Sequence, residues 1–385
     1  MESMPDLNLR STKVREALKN ILKFWLELGV DGFYIRHADY LFEDYDLRDG
    51  IYNETNVNLT LLAGDVVNNN KFMRGLTENF DMFARWRAFL DDYGNMTNQY
   101  RILFADVDSS FEHVRKYYGM FNRDGVDFPL NEFSLHLNDT TVAEDIRNIV
   151  QNWTDNMAKN HWPNWMGGND RTQRLVDRLG AAAGPYLILI MLLPGTPYVY
   201  YGDEIGLSAV NNISSTQQHQ TMGLPMRGLQ QWNNNTYAGF CMQGCSSAPW
   251  MNTNPEYKNQ MNVEAQKKDL GSVWNLFRNL TILRKENPAF EYGDYAKGIQ
   301  DDEVFSFVRE YDGQHGFLVA LNFVNKTVNK AYTGVHETIP GSAKVELVTG
   351  AGATHSKGDN ADLTNLPLAP FEGIVVSWDY QAKEL

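Results

Sequence analysis

The order of hydrophobic periods along this chain constrains its fold more than any other feature. Over roughly the first 290 positions, short apolar runs of strand length alternate with stretches patterned at three to four residues. Ser11 or Thr12 can cap a helix whose apolar positions Val14, Leu18, Ile21, Leu22, Trp25 and Leu28 recur at helical spacing until Gly29. A short strand at 31–35 follows directly. The same order returns with a strand at 101–105, a helical stretch from Phe111, and a Thr141–Glu144 capping box opening a helix to Met157. Next come a strand at 164–166, a helix over 173–193 and a strand at 198–201. Such alternation predicts an α/β fold with a parallel sheet and helices outside it.

Residues 208–264 break the pattern, being rich in Asn, Gln, Ser and Gly, and read as a long irregular excursion of the kind that forms functional rims. A helix over 273–284 is stopped by Asn287-Pro288. After it the period becomes two, at 304–308, 317–323, 345–348 and 374–378, which predicts a small antiparallel β domain. The expected division is therefore 1–290 and 291–385.

Charge and composition exclude several function classes. A formal net charge of -14 with no Lys/Arg run argues against binding to nucleic acid or to an anionic membrane surface. The apolar stretch 181–193, containing Pro185 and followed by Pro194, is shorter than the roughly 20 residues of a membrane helix and reads as a buried core helix. The start, Met1-Glu2-Ser3-Met4-Pro5-Asp6, lacks the pattern of a signal peptide, so any targeting element is expected outside this sequence. Two cysteines, Cys241 and Cys245, are too few for a zinc site and leave a short local disulfide or free thiols, the disulfide being favoured. Sequons at Asn53, Asn58, Asn95, Asn138, Asn152, Asn212, Asn234, Asn279 and Asn325 point to a secreted or cell-surface protein.

Several segments together resemble glycoside hydrolase family 13, the α-amylase and maltase type. The most specific is Pro194-Gly195-Thr196-Pro197-Tyr198-Val199-Tyr200-Tyr201-Gly202-Asp203-Glu204-Ile205-Gly206, which is similar to the family's eighth barrel strand and the loop after it. Pro5-Asp6-Leu7-Asn8 and Gly29-Val30-Asp31-Gly32-Phe33 resemble the approach to the fourth strand. Gln231-Trp232, Ala238-Gly239-Phe240 and Asn262-Val263-Glu264-Ala265-Gln266 extend the likeness. The resemblance implies a (β/α)8 TIM barrel with its chemistry at the C-terminal strand ends, here a partial barrel of about the last five βα units followed by the C-terminal antiparallel β domain. The family's first three strands would precede Met1, so the chain is expected to be a truncated product or gene model.

Under that resemblance, the positions of the catalytic carboxylates hold the wrong residues. A retaining glycosidase uses two carboxyls roughly 5 Å apart, one as nucleophile and one as acid/base. The family pattern G-F-R-I-D corresponds to Gly32-Phe33-Tyr34-Ile35-Arg36, which puts Arg36 at the nucleophile and Tyr34 at the arginine that orients it. A guanidinium has no lone pair to offer and repels a cationic transition state. Asp106 takes the acid/base position one methylene short; Asp108 is two residues further along the loop. In the family's N-H-D-x-x-R motif, the ungapped register anchored by Asn164-Trp165 and Arg174 puts Asp170 at the histidine and Arg171 at the aspartate. A one-residue gap would put Asp170 at the acid.

Arg36, Asp106 and Arg171 are expected to form an internal salt-bridge cluster, with an anion-binding pocket as the alternative. His37 and Asp39 read as loop residues rather than a rebuilt catalytic pair, and Asp203 and Glu204 as groups that hydrogen-bond their own loop. No metal and no cofactor is expected.

Loss of the nucleophile within the fold is similar to the heavy chains of heteromeric amino-acid transporters, glycoproteins with a glucosidase-like ectodomain that partner a membrane light chain. The resemblance implies that partner, membrane contact only through an upstream segment, and a cell-surface or secreted location. The alternatives are an α-glucosidase or maltase in carbohydrate metabolism and an inactive maltase-like binding protein.

Overall fold

A computed structural model describes residues 6–46, 72, 74–107, 109–138, 143–157, 161–210, 224–241, 251, 253–350 and 352–380. The chain divides into two compact units: Met1–Glu132 with Asn152–Asn164, and Phe133–Gln151 with Trp165–Leu385.

The first unit opens with helix α1, Thr12–Glu27, which buries Leu22 and Leu26. Ser11 stands at its N-cap in extended conformation without a side-chain capping bond. Gly29, at φ +95°, turns the chain toward strand β1, Gly32–Ile35. Helix α2, Thr77–Thr97, leads to strand β2, Ile102–Ala105, which pairs parallel to β1 with Tyr34 opposite Phe104 and Ile35 opposite Ala105. Gly32 is required by this pairing, since a Cβ there would lie 2.1 Å from the Ile102 carbonyl oxygen.

Helix α3, Phe111–Val114, tightens into a 3-10 turn over Arg115–Tyr118. A two-residue hairpin, β3 (Gly119–Met120) and β4 (Arg123–Asp124), then leads to β5, Phe128–Pro129, parallel to β2. The sheet order is β1-β2-β5. Tyr34, Phe104 and Phe128 stack across its three strands, with centroids 5.1 and 5.4 Å apart.

Helix α4, Ala143–Asn156, is followed by β6, Asn164–Met166. The single helix expected over 173–193 is two: α5, Leu175–Leu179, and α6, Ala183–Leu192. Gly180, at φ +53°, and a 3-10 turn over Gly180–Ala182 separate them, which puts Pro185 in the first turn of α6, where it breaks no helical hydrogen bond. Every residue of α6 from Pro185 to Leu192 is buried. The stretch Leu175–Leu192 is long and apolar enough to cross a membrane, yet 67% of it is buried inside the protein, the pattern of a core helix. Strand β7, Thr196–Tyr198, pairs with β6; it begins two residues earlier than the sequence suggested.

Helices α7 (Val263–Lys268), α8 (Val273–Glu286) and α9 (Pro288–Glu291) precede the C-terminal sheet. Asn262 and Ser272 cap α7 and α8 through their side chains. Asn287-Pro288 ends α8, and Pro288 opens α9 at a position where its missing N–H costs nothing.

The sheet comprises β8 (Asp294–Gln300), β9 (Val304–Glu310), β10 (His315–Asn322), β12 (Ser342–Val348), β13 (Asn360–Asp362) and β15 (Gly373–Asp379) in the order β13-β12-β15-β10-β9-β8, with each neighbouring pair antiparallel. Strands β11 (Val328–Lys330) and β14 (Leu366–Leu368) form a separate pair. Period two is visible on β9: Val304 and Val308 join a core with Val345, Ile374 and Leu363, while the sheet packs on α6 and α9. That packing is what groups 291–385 with earlier helices in one compact unit.

Helix α2 was not among the expected elements. Its N-cap is Leu76, which offers no capping oxygen, and polar Asn79 and Arg87 are buried within its apolar face.

Candidate functional site

In the first unit, the residues just beyond β1 and β2 converge. Backbone hydrogen bonds from Asp106 N to Ile35 O (3.1 Å) and from Ala38 N to Asp106 O (3.1 Å) bring the two strand ends together. The Asp106 side chain is buried, and Tyr34, His37 and Arg36 meet it. The Tyr34 hydroxyl donates to Oδ2 at 2.9 Å, the His37 backbone N–H donates to Oδ1, and Arg36 Nε lies 3.8 Å from Oδ2. His37 can present its N–H this way because it adopts a left-handed conformation at φ 53°. Arg36 remains 43% exposed, so its pairing with Asp106 is partly screened by water.

Asp39 is more than a loop residue, because it is buried and accepts from Arg74 Nε at 2.8 Å, with Nη2 at 2.6 Å. Sequence reasoning missed Arg74, which lies 35 residues away. Asp108 lies outside the described residues.

In the second unit, Asn169 shapes the turn that carries Asp170 and Arg171. Its side-chain oxygen accepts from Arg171 N (2.9 Å), Thr172 N (2.8 Å) and the Thr172 hydroxyl (3.0 Å). Asp170 is bound by Arg227, with Nη2 to Oδ2 at 2.8 Å and Nε to the carbonyl at 3.0 Å. Arg227 comes from the irregular excursion and had no signal in the sequence. Arg174 is buried between the rings of Tyr200 and Tyr201, at 4.6 and 4.5 Å from their centroids.

Asp203 and Glu204 do hydrogen-bond their own loop: Tyr200 N donates to Asp203 at 3.1 Å, and Gly202 N to Glu204 at 2.7 Å. Burial pushes the Asp203 carboxyl up to about 7. Two motif segments also meet, as Val263 N and Glu264 N donate to the carbonyls of Gln231 and Trp232, both at 2.9 Å.

Cys241 is disulfide-bonded, and Cys245 lies outside the described residues. Of the sequon asparagines, Asn95, Asn138, Asn152, Asn234 and Asn325 are exposed and Asn279 is half-buried. Asn53, Asn58 and Asn212, like Thr141 of the expected capping box, lie outside the described residues.

Chemically, the cluster around Asp106 assembles a carboxylate with a guanidinium, a phenol and a backbone amide. Arg36 supplies no carboxylate to stand opposite Asp106 as nucleophile.

The α-amylase catalytic domain family matches residues 1–293. The human amino acid transporter heavy chain SLC3A1 is 30% identical over 392 residues, 100% of this chain and 55% of that protein. The mouse protein of the same name is 29% identical over 99% of this chain and 55% of its own length. Maltase A2 of Drosophila melanogaster is 29% identical over 97% of this chain and 65% of its own length. The chain thus spans little more than half the length of the heavy chains it matches. The solved structure of an α-glucosyl transfer enzyme superposes with a TM-score of 0.74 at 22% identity, over 97% of this chain and 69% of that one. Trehalulose synthase MutB from Pseudomonas mesoacidophila MX-45 gives a TM-score of 0.74 at 19% identity over 97% and 70%. The fold is TIM-barrel-like with a C-terminal antiparallel sheet.

Proposed function

Because this chain belongs to the α-amylase catalytic-domain family, we propose that it is a catalytically inactive α-glucosidase-like ectodomain serving as the heavy-chain subunit of an amino-acid transporter. The observation that carries this reading is Arg36 beside Asp106, a cation where glycoside cleavage requires a second carboxyl. The likeness to transporter heavy chains over 99 and 100% of the chain supports the assignment.

In this reading the parallel strands are about the last five βα units of the barrel, with a boundary near residue 290 and the all-β domain over 291–385. Arg36, Asp106 and Arg171 are the degenerate catalytic positions, and Tyr34 and Asp170 are the former sugar-pocket positions of the family motif. The partner is a multi-pass light chain, and the ectodomain faces the cell exterior, where exposed Asn95, Asn138, Asn152, Asn234 and Asn325 carry glycans.

A second reading, an active maltase or α-glucosidase, is favoured by one observation: Maltase A2 and the mouse heavy chain match at the same 29% identity. Expression of the full-length protein in cultured cells, with radiolabelled amino-acid uptake measured at the surface, separates the readings. A heavy chain raises uptake and co-purifies with a multi-pass transporter in mild detergent. Release into the medium with no change in uptake contradicts the transporter role.

A further inference from the structure

The first unit contains a second concave feature that the proposed function does not use. It is a cavity of about 380 Å3 between the turn after α3 and the last turn of α4. Four rings line it. Phe111 meets Trp153 edge-on at 5.2 Å, Tyr118 packs on His161 at 4.6 Å, and Tyr118 lies 6.5 Å from Trp153. The Tyr118 hydroxyl is committed to the Trp162 carbonyl at 2.8 Å, so this ring offers the cavity a face rather than a donor.

The remaining lining carries charge of one sign. Arg115 and Lys116 both border the cavity, and among the described residues no Asp or Glu does. Neither cation has an ion-pair partner among the described residues, and Glu112 and Asp155, adjacent in sequence to lining residues, stay outside the lining. Burial lowers the pKa of His161, which leaves the imidazole neutral near pH 7 and the positive charge on Arg115 and Lys116. In a chain of net charge -14, this is a local reversal of sign.

The chemistry selects among ligands. Ring faces with nearby cations disfavour a quaternary ammonium, which the same rings alone would accept. A free inorganic anion would leave the rings unused. A flat apolar body stacked on the aromatic walls, with one anionic group at the mouth, uses both, and the volume lies in the range of small-molecule sites.

We propose that this cavity, walled by Phe111, Tyr118, Trp153 and His161 and bordered by Arg115 and Lys116, is a binding site for a small aromatic carboxylate. It lies within one compact unit and is independent of the transporter assignment.

The test is calorimetric titration of the full chain with 2-naphthoate, beside 2-naphthalenemethanol as ring without charge and acetate as charge without ring. Naphthoate is expected to bind with a Kd tighter than about 1 mM, and to weaken at least about tenfold in Arg115→Glu and in Lys116→Glu. The neutral ring and acetate should each bind at least about tenfold more weakly than naphthoate. Arg115 is exposed and Lys116 half-buried, so both variants should keep the wild-type circular dichroism, which is the fold control. No naphthoate binding at that concentration overturns the proposal. So does equal affinity in wild type and both variants, equal binding of the neutral ring, or equal binding of acetate.

Discussion

The two compact units handle charge differently. The first pairs its buried acids and bases: Asp106 with Arg36, Asp39 with Arg74, and Arg87 with Asp91 and Asp127. The second also buries arginines that make no ion pair among the described residues. Among the described residues, Arg309 donates to the carbonyls of Leu192, Gly293 and Asp294, and Arg178 to those of Ser134, Leu137 and Gly167. Arg284 likewise donates to Met191 O, beside Leu192 at the C-terminus of α6, where the helix dipole favours a cation. The second pattern is structural: Arg309 joins the end of α6 to the start of the C-terminal sheet, Arg284 ties α8 to the end of α6, and Arg178 holds the carbonyls of Ser134, Leu137 and Gly167. In the first, Arg36 and Asp106 stand just beyond β1 and β2, and under the proposed function that pair occupies former catalytic positions.

The largest effect that would sharpen this contrast is at Arg309. Arg309→Leu leaves three carbonyls without their donor and should lower unfolding free energy by about 3 to 5 kcal/mol in urea denaturation. A loss below about 1 kcal/mol would mean water replaces the guanidinium, and the joint is not built as described.

The next effect sets the units against each other in pH. Burial pushes His113 down to about 4, with Lys116 and Arg74 adding to it. The unfolded chain then binds the proton more readily, so the stability His113 contributes is full above pH 6.5 and is lost as pH falls toward 4. Asp203 has the opposite sign: its carboxyl is raised to about 7, so its contribution is full below pH 3.8 and is lost as pH rises through 7. Stability profiles of His113→Gln and Asp203→Asn, each subtracted from wild type, should therefore slope in opposite directions between pH 4 and 7, by on the order of 1 to 2 kcal/mol. Slopes of the same sign would break the comparison.

The smallest effect belongs to Arg36. Its side chain is 43% exposed, so Arg36→Gln should change stability by less than about 1 kcal/mol in thermal unfolding. A larger loss would make the pair structural rather than a relic of the site.

Strands β1 and β2 of the first unit were legible, because they are short apolar runs beside clear helix signals, whereas β3, β4 and β5, two residues each, were too short to show a period. Helix α2 was not, because Asn79 and Arg87 interrupt its apolar face and Leu76 gives no capping cue. The break between α5 and α6 depends on Gly180 adopting a positive φ, which an otherwise continuous apolar run conceals. At the candidate site, proximity of Arg36 to Asp106 followed from parallel strands in register. The partners of Asp39 and Asp170 did not, because Arg74 and Arg227 arrive from 35 and 57 residues away through segments without periodic pattern.

The most direct measurement is hydrolysis of maltose and of a nitrophenyl α-glucoside by the full-length protein, beside an Arg36→Asp variant and a buffer blank. The account predicts no turnover above the blank in the natural protein, because Arg36 stands beside Asp106 where a second carboxylate is needed to form the glycosyl intermediate. Clear turnover by the natural protein would contradict it, and would mean that another carboxylate performs the nucleophile's task.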